Sequence, residues 1–474
     1  MSVEARDSHV RTIRLMLLTV GALLFGYAIS DHPFYGGEPG FGRLQGVIAA
    51  VGVGIAACAA LPRRFAERVL IVAVASLAML AFAEIAGEFI LGPRNRPIFQ
   101  TDGKLIFKLI PNRSSVMTRS QENGGASITH RINSDGFRGA ELMPPGTAPR
   151  VVVYGDSFIH ATYMAEKETF SAVLGDLLSA RIGTAVEVIN AGVSSYGPDQ
   201  ISVKMEAELP RLRPELAIIA IYAGNDYGDL MRNKMFKIDP NDNLVDNEWR
   251  LDPGIRNQFE FSQRESILVR SLRVAMRSFR LSSDQAASTA APTETSQYSR
   301  WSHLLQQSDR EYKDYVVDRN NVVTNTHIDY YSANISLLPD SESARYEVRL
   351  MQAVLGRIRD VAAKNGVPLF FVFIPHPADV ATSYDDWSAV DLKRYPGYLG
   401  RNQTAPLENG AKSAGVPFIS LYDAYRAVDA NRLYFPHNDD HWNAAGQRMA
   451  AELVSEQIAS TLVHRRDMVK SRGR

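Results

Sequence analysis

Apolar residues follow two regimes along this chain of 474 residues. Near the start they form three almost continuous stretches, 15–29, 44–61 and 69–91, each close to the roughly 20 residues with which a helix crosses a bilayer. One such stretch is ordinarily a buried helix or a signal peptide. Three in succession, followed by a mixed remainder, predict a transmembrane helical region over 1–92. Beyond it, short apolar runs alternate with amphipathic segments. The runs fall at 151–154, 188–189, 216–222, 369–374 and 417–421. Between the first two, Phe170, Val173, Leu174, Leu177 and Leu178 recur at helical spacing and Gly183 ends the helix. Over 343–364, Val348, Met351, Leu355, Ile358 and Ala362 make a second apolar stripe. The fold class expected is α/β, a three-layer sandwich with a central parallel sheet, preceded by transmembrane helices.

This pattern divides the chain. Residues 93–149 form a leader and linker, with a turn-rich segment from Asn133 to Gly139 and a Pro-Pro-Gly linker at Pro144. The main domain occupies 150–463, interrupted by an insert at 229–340, and a basic tail closes the chain at 464–474. The middle of the insert, 282–297, is rich in Ser, Thr, Ala and Gln and is expected to be mobile. Around it stand Trp301, Tyr312, Tyr315, Tyr330 and Tyr331, which either stack on sugar rings over the cleft or pack the insert onto the core.

Charge sets the orientation. Arg6, Arg11 and Arg14 flank the start, Asp31 and Glu38 lie in the first loop, and Arg63, Arg64 and Arg68 crowd the second. Cationic loops stay in the cytoplasm, so the chain leaves the third stretch on the outside. Arg94, Arg96 and Lys104 run against this, although charge weighs less beside a long translocated domain. The expected location is a bacterial cytoplasmic (inner) membrane with the large domain extracytoplasmic. Glu84 and Glu88, one turn apart in the third stretch, should face the bundle or a partner where they are deep, and Glu88 can reach the interface. Lys and Arg number 52 against 52 Asp and Glu, and no basic stripe with interleaved aromatics appears, which excludes nucleic acid as the expected partner. Cys58 is the single cysteine, so no intrachain disulfide can form, and no Cys/His cluster has zinc spacing. No cofactor and no metal are expected.

Candidate chemistry sits where the apolar runs end. The first run stops on Gly155-Asp156-Ser157-Phe158, placing a hydroxyl at a strand end where helix N–H groups point at whatever binds there. The second stops at Asn190-Ala191-Gly192, whose glycine lets a backbone N–H approach a ligand closely. The third enters Gly224-Asn225-Asp226, where Asn225 offers an amide donor. Near the C-terminus, Asn438-Asp439-Asp440-His441-Trp442 precedes a helix with Met449, Leu453, Val454, Ile458 and Leu462 on its apolar side. A serine is a weak nucleophile at neutral pH and needs a base within reach. Imidazole titrates in the useful range, and a carboxylate on its far nitrogen fixes the tautomer.

Taken in order, Ser157, Gly192, Asn225 and His441 resemble the four blocks of the SGNH/GDSL hydrolases, over roughly residues 104–463. The resemblance implies an SGNH (flavodoxin-like) sheet, with Ser157 as nucleophile and His441 as general base. It implies an oxyanion hole from the Ser157 and Gly192 N–H groups and the Asn225 side chain. Two positions depart from the pattern. Phe158 stands where the family has leucine, and Asn438 occupies the place three before the histidine where many members carry the acid. The spacing Asp439-x-His441-Trp442 resembles a subgroup that includes alginate-type acetyltransferases, which implies Asp439 as the acid, with Asp440 as its rival. The segment Asn133-x-x-Gly136-Phe137-Arg138-Gly139 resembles one that precedes the core in membrane-anchored members.

Other residues compete for these roles. His160 is expected on the helix after Ser157, partly exposed and lining the cleft; His376 lies at another strand end, His437 is a bystander, and Asp156 satisfies local N–H groups. The expected activity is hydrolysis of acyl esters, with O-acyl (acetyl) groups of a cell-envelope glycan as substrate. An O-acyltransferase on the same triad is the alternative, beside a multi-span membrane acyl-donor partner, because three spans are too few to carry the donor across. A non-catalytic envelope scaffold or glycan-binding protein is the third reading, disfavoured because all the blocks are complete.

Overall fold

A computed structural model describes residues 3–30, 42–95, 97–119, 123–256, 259, 267, 294–324, 330–381, 384, 390–436 and 439–472. The segment expected to be mobile, 282–297, lies mostly outside them, as do residues 31–41, His437 and Asn438. The chain divides into two compact units, one of Met1–Gln100 with Asp252–Thr289 and one of Thr101–Leu251 with Ala290–Arg474. Part of the insert expected over 229–340 thus groups with the N-terminal helices.

The first unit contains helices α1 (Val3–Ala28), α2 (Arg43–Ala57) and α3 (Arg63–Asn95). Helices α1 and α2 touch where both carry glycine: a Cβ on Gly21 would stand 2.5 Å from the Gly52 carbonyl oxygen, and one on Gly52 2.8 Å from that of Gly21. Small residues that admit such backbone contact are favoured where apolar solvent gives helices no hydrophobic drive to associate. Among the described residues two helical segments, Ser8–Ala28 and Arg63–Gly87, are long and apolar enough to cross a membrane; the apolar helix between them, Gln45–Ala60, is shorter. Ile71, Phe82 and Ile85 of α3 are exposed. Glu84 does find a partner, accepting the Ile267 N–H at 2.6 Å within the same unit.

The second unit is built on five parallel strands: β1 (Arg150–Tyr154), β2 (Glu187–Asn190), β3 (Leu216–Tyr222), β4 (Leu369–Ile374) and β5 (Phe418–Ser420). Their order is 5-4-3-1-2. Strands β1, β3 and β4 are buried along their whole length, which explains why their sequences read as continuous apolar runs rather than alternating ones. The winding reverses at β1/β3, and in open sheets of this kind ligands bind at that switch point, beyond the carboxyl ends of the strands.

Helices cover both faces. On one, α4 (Phe170–Ile182) packs with α9 (Ala444–Arg472); on the other, α5 (Pro198–Leu212), α6 (Asp226–Asn233), α7 (Glu342–Lys364) and α8 (Thr404–Ala414) pack on one another. Their ends are cut as the sequence suggests. Thr169 accepts the Ala172 N–H to start α4, Gly183 ends it at φ +70, and the Ser341 hydroxyl caps α7. The leader reaches the sheet itself. A hairpin of Arg113–Thr118 and Ser127–Ile132 continues through the bridge Ile132 to Arg138, and Arg138 bridges antiparallel to Asn190 on β2.

Candidate active site

The turn after β1 is shaped by what cannot fit there. A Cβ on Gly155 would meet the Ile159 side chain at 2.5 Å, so only glycine lets the chain fold back at once into the short helix Ser157–His160. Asp156 caps that helix, its Oδ1 accepting the Phe158 N–H at 2.9 Å, as its place in the loop suggested. Ser157 Oγ donates to Asp156 Oδ2 at 3.4 Å. Gly192, after β2, presses against the same turn: a Cβ there would stand 2.5 Å from the His160 nitrogen. Its N–H donates to Asn190 Oδ1 at 3.1 Å, so delivery to an oxyanion competes with this turn. Asn225, after β3, occupies the N-cap position of α6 without capping it. Its side chain is buried, and its Oδ1 has no partner among the described residues.

His441 arrives from a loop tied down at both ends. The Phe435 N–H donates to the His441 carbonyl at 2.9 Å and the Asn443 N–H to the Leu433 carbonyl at 3.0 Å, while Trp442 is buried beneath. The imidazole Nδ1 lies 2.8 Å from Asp439 Oδ1 and 3.5 Å from Asp440 Oδ1. Nδ1–H therefore donates to Asp439, which leaves Nε2 as the acceptor. The ring stacks on Phe158, the residue after the serine, with centroids 5.1 Å apart and planes at 27°. Phe158 is held in turn by Tyr222 at 4.2 Å and Trp442 at 5.1 Å. His441 is thus stacked on the residue next to Ser157, while the Ser157 hydroxyl bonds Asp156 rather than the imidazole; catalytic hydrogen bonds commonly tighten only when substrate is bound.

The electrostatics follow from two carboxylates beside one ring. Burial by itself would lower the His441 pKa, but the hydrogen bond that its ring donates to Asp439 and the charges of Asp440, Asp439 and Asp156 lift it to about 10. Water screens part of this, since 27 % of the side chain is exposed. Asp440 turns its other oxygen away, accepting from the Tyr222 hydroxyl and lying 3.8 Å from His376 Nε2. The ligand atoms of Asp439, Asp440 and His441 fall within 4.8 Å of one another, a spacing that could hold a cation; the same carboxylates already serve the imidazole.

The competing histidines take other parts. His160, expected to line the cleft, is fully buried, because the leader closes over it: it meets His130 edge-on at 4.8 Å, and its Nδ1 pairs with the Ser194 hydroxyl at 2.7 Å. His376 accepts the Ala378 N–H at 3.1 Å to cap a short helix and backs Asp440. Burial, helped by the Arg300 charge and opposed by Asp440, pulls it down to about 4, too weak a base for the role of His441. Of the aromatics for which stacking on sugars and packing onto the core are both open, Trp301, Tyr315 and Tyr331 are buried, as packing requires. Trp301 packs edge-on against Tyr331 at 5.7 Å, and the Tyr315 hydroxyl donates to the Phe236 carbonyl. Sequence reasoning missed the part of Phe158, whose exchange for leucine looked like one apolar residue for another, and that of Arg138.

Fold and site together define a doubly wound parallel α/β domain with serine, histidine and aspartate gathered at the carboxyl edge of its sheet. No family model and no curated protein matches the chain in sequence. Solved structures similar to it include a lipase/acylhydrolase from Enterococcus faecalis, at 12% identity and TM-score 0.30, covering 66% of this chain and 96% of that one. A psychrotrophic esterase from a Pseudoalteromonas species is similar at 12% identity and TM-score 0.31, covering 66% and 98%. A two-domain esterase active on acetylated mannans is similar at 11% identity and TM-score 0.31, covering 66% of this chain and 50% of that one.

Proposed function

We propose that the chain is a serine-dependent acyl-ester hydrolase of the SGNH/GDSL type. The observation that carries this reading is the imidazole of His441, oriented by Asp439 through Nδ1 and stacked on the residue next to Ser157. In the reaction, Ser157 Oγ attacks the acyl carbon while its proton passes to His441 Nε2. The charge that develops on the carbonyl oxygen meets the Asn225 amide and the Ser157 and Gly192 N–H groups, Gly192 leaving Asn190 to do so. Imidazolium then protonates the departing alkoxide, and water delivered through His441 hydrolyses the acyl-enzyme. We take the substrate to be O-acetyl groups of an envelope glycan on the far side of the cytoplasmic membrane; that location is supported by the apolar helices Ser8–Ala28 and Arg63–Gly87 and by the cationic Arg63, Arg64 and Arg68 at the start of the second of them.

The spacing Asp439-x-His441-Trp442 favours a second reading, in which a sugar hydroxyl replaces water as acceptor and a multi-span membrane protein supplies the acyl group. Incubation with an aryl acetate and a set of oligosaccharides, followed by mass spectrometry of the sugars, separates the two. Free acetate with unchanged sugars is the expected result; acetylated sugars would replace the hydrolase by the transferase. Neither product, from a folded chain, would reject both.

A further inference from the structure

The turn that carries the nucleophile is held from a distance by one residue outside the four blocks. We propose that Arg138, in the leader, is a positioning residue that keeps Ser157 in register with the Gly192 loop; this rests on the reading of Ser157 as nucleophile. Arg138 is buried, and its guanidinium donates to the carbonyl oxygens of His160 and Ala161, which end the serine turn, and of Met164 three residues on. Ala161 there adopts φ +49, a left-handed conformation that costs a residue with a side chain, and the guanidinium binds the carbonyl of that same residue. A cation on the last carbonyls of a helical turn is also favoured by the direction of its peptide dipoles.

The same residue grips the other half of the oxyanion hole through its backbone. The Arg138 N–H donates to the Asn190 carbonyl at 3.2 Å. The Asn190 side chain in turn donates to the Ile159 carbonyl at 2.7 Å and accepts the Gly192 N–H at 3.1 Å. His160 completes the brace, its Nδ1 accepting the Ser194 N–H at 3.3 Å in the loop that follows Gly192. Arg138 therefore meets the Ser157 turn with its side chain and the Gly192 strand end with its main chain. Planar, with donors in a fixed fork, guanidinium can satisfy three carbonyls at once; an ammonium in its place reaches fewer and at other angles.

The test uses the full-length chain in detergent, with an aryl acetate and a fluorophosphonate label for Ser157. R138K is expected to lower kcat on the order of 100-fold, the loss that a misplacement of about 1 Å produces, with KM within about 3-fold of the wild type. Every site should still take the label, more slowly. In R138A, methylguanidinium should restore part of kcat, and methylammonium at the same concentration should not. R138K with wild-type kcat would overturn the inference, as would a loss explained wholly by fewer labelled sites turning over at the normal rate. A folded wild type that neither turns over ester nor takes the label would overturn the functional reading itself, and the inference with it.

Discussion

Replacing Asp440 by Asn should move the pH at which the enzyme becomes active. A general base must be neutral to accept the serine proton, yet the carboxylates around His441 hold its pKa near 10. With the pKa at that value only about 0.3 % of the imidazole is neutral at pH 7.5. Activity should therefore climb through neutral into alkaline pH. The lift is a sum. Asp439 contributes a hydrogen bond at 2.8 Å, while Asp440 contributes mainly charge, 3.5 Å from Nδ1. Two unit charges at that distance interact by about 1.2 kcal/mol at the dielectric of water and about 5 kcal/mol at an effective value of 20. Asp440 is 32 % exposed, so the lower figure is the better guide, and the expected displacement is about one to two pH units. The sign is fixed: removing a negative neighbour destabilises imidazolium, lowers the pKa and shifts the rising limb of kcat/KM toward acid. Asparagine keeps the shape of the side chain, and its amide oxygen can still accept from Tyr222. The assay is kcat/KM for an aryl acetate between pH 5 and 10.5 for wild type and D440N. A limb that stays where it was, or moves to higher pH, would refute the electrostatic account.

Three further substitutions probe the donors and the ring. N225A removes an amide whose oxygen is buried without a described partner, and kcat should fall by roughly 10²–10³ with little change in melting temperature; an unaffected kcat removes Asn225 from the oxyanion hole. G192A would drive a Cβ to 2.5 Å from the His160 nitrogen, so the Ser157 turn must shift, and loss of Ser157 labelling in a chain that still folds is expected; normal labelling would show that the turn tolerates the shift. F158L deletes the ring stacked on His441 and should cost roughly 2- to 10-fold in kcat/KM, with the rising limb displaced to lower pH by less than about one unit. An upward displacement would mean that the ring does not stabilise imidazolium.

The central sheet could be read from the chain because its strands are buried on both faces. The run 216–222 has no polar residue to mislead, and every one of its side chains is inaccessible. Gly155, Ser157, Gly192 and Asn225 were legible for a related reason, since each ends a strand and strand ends converge at one edge of a parallel sheet. The choice between Asp439 and Asp440 was not a matter of spacing alone, because neighbouring residues in a loop differ only by how the loop is pinned. Here the bonds joining Phe435 to His441 and Asn443 to Leu433 pin it. Arg138 stands in a recognisable motif of the leader, but its role has no local signal: the carbonyls it binds lie more than twenty residues further on, and the leader bridges to β2 before it meets them. His160 was misplaced for the same reason, since the surface it was given is covered by His130 from that leader. The grouping of Asp252–Thr289 with the N-terminal helices likewise follows from contacts distant in sequence.

Intact-protein and peptide mass spectrometry after rapid quenching with an aryl acetate tests the central claim most directly. An acetyl group on the peptide carrying Ser157, absent from S157A and failing to accumulate in H441A, is the predicted result. Turnover of the ester by S157A, or an acetyl group formed on another residue, would contradict it.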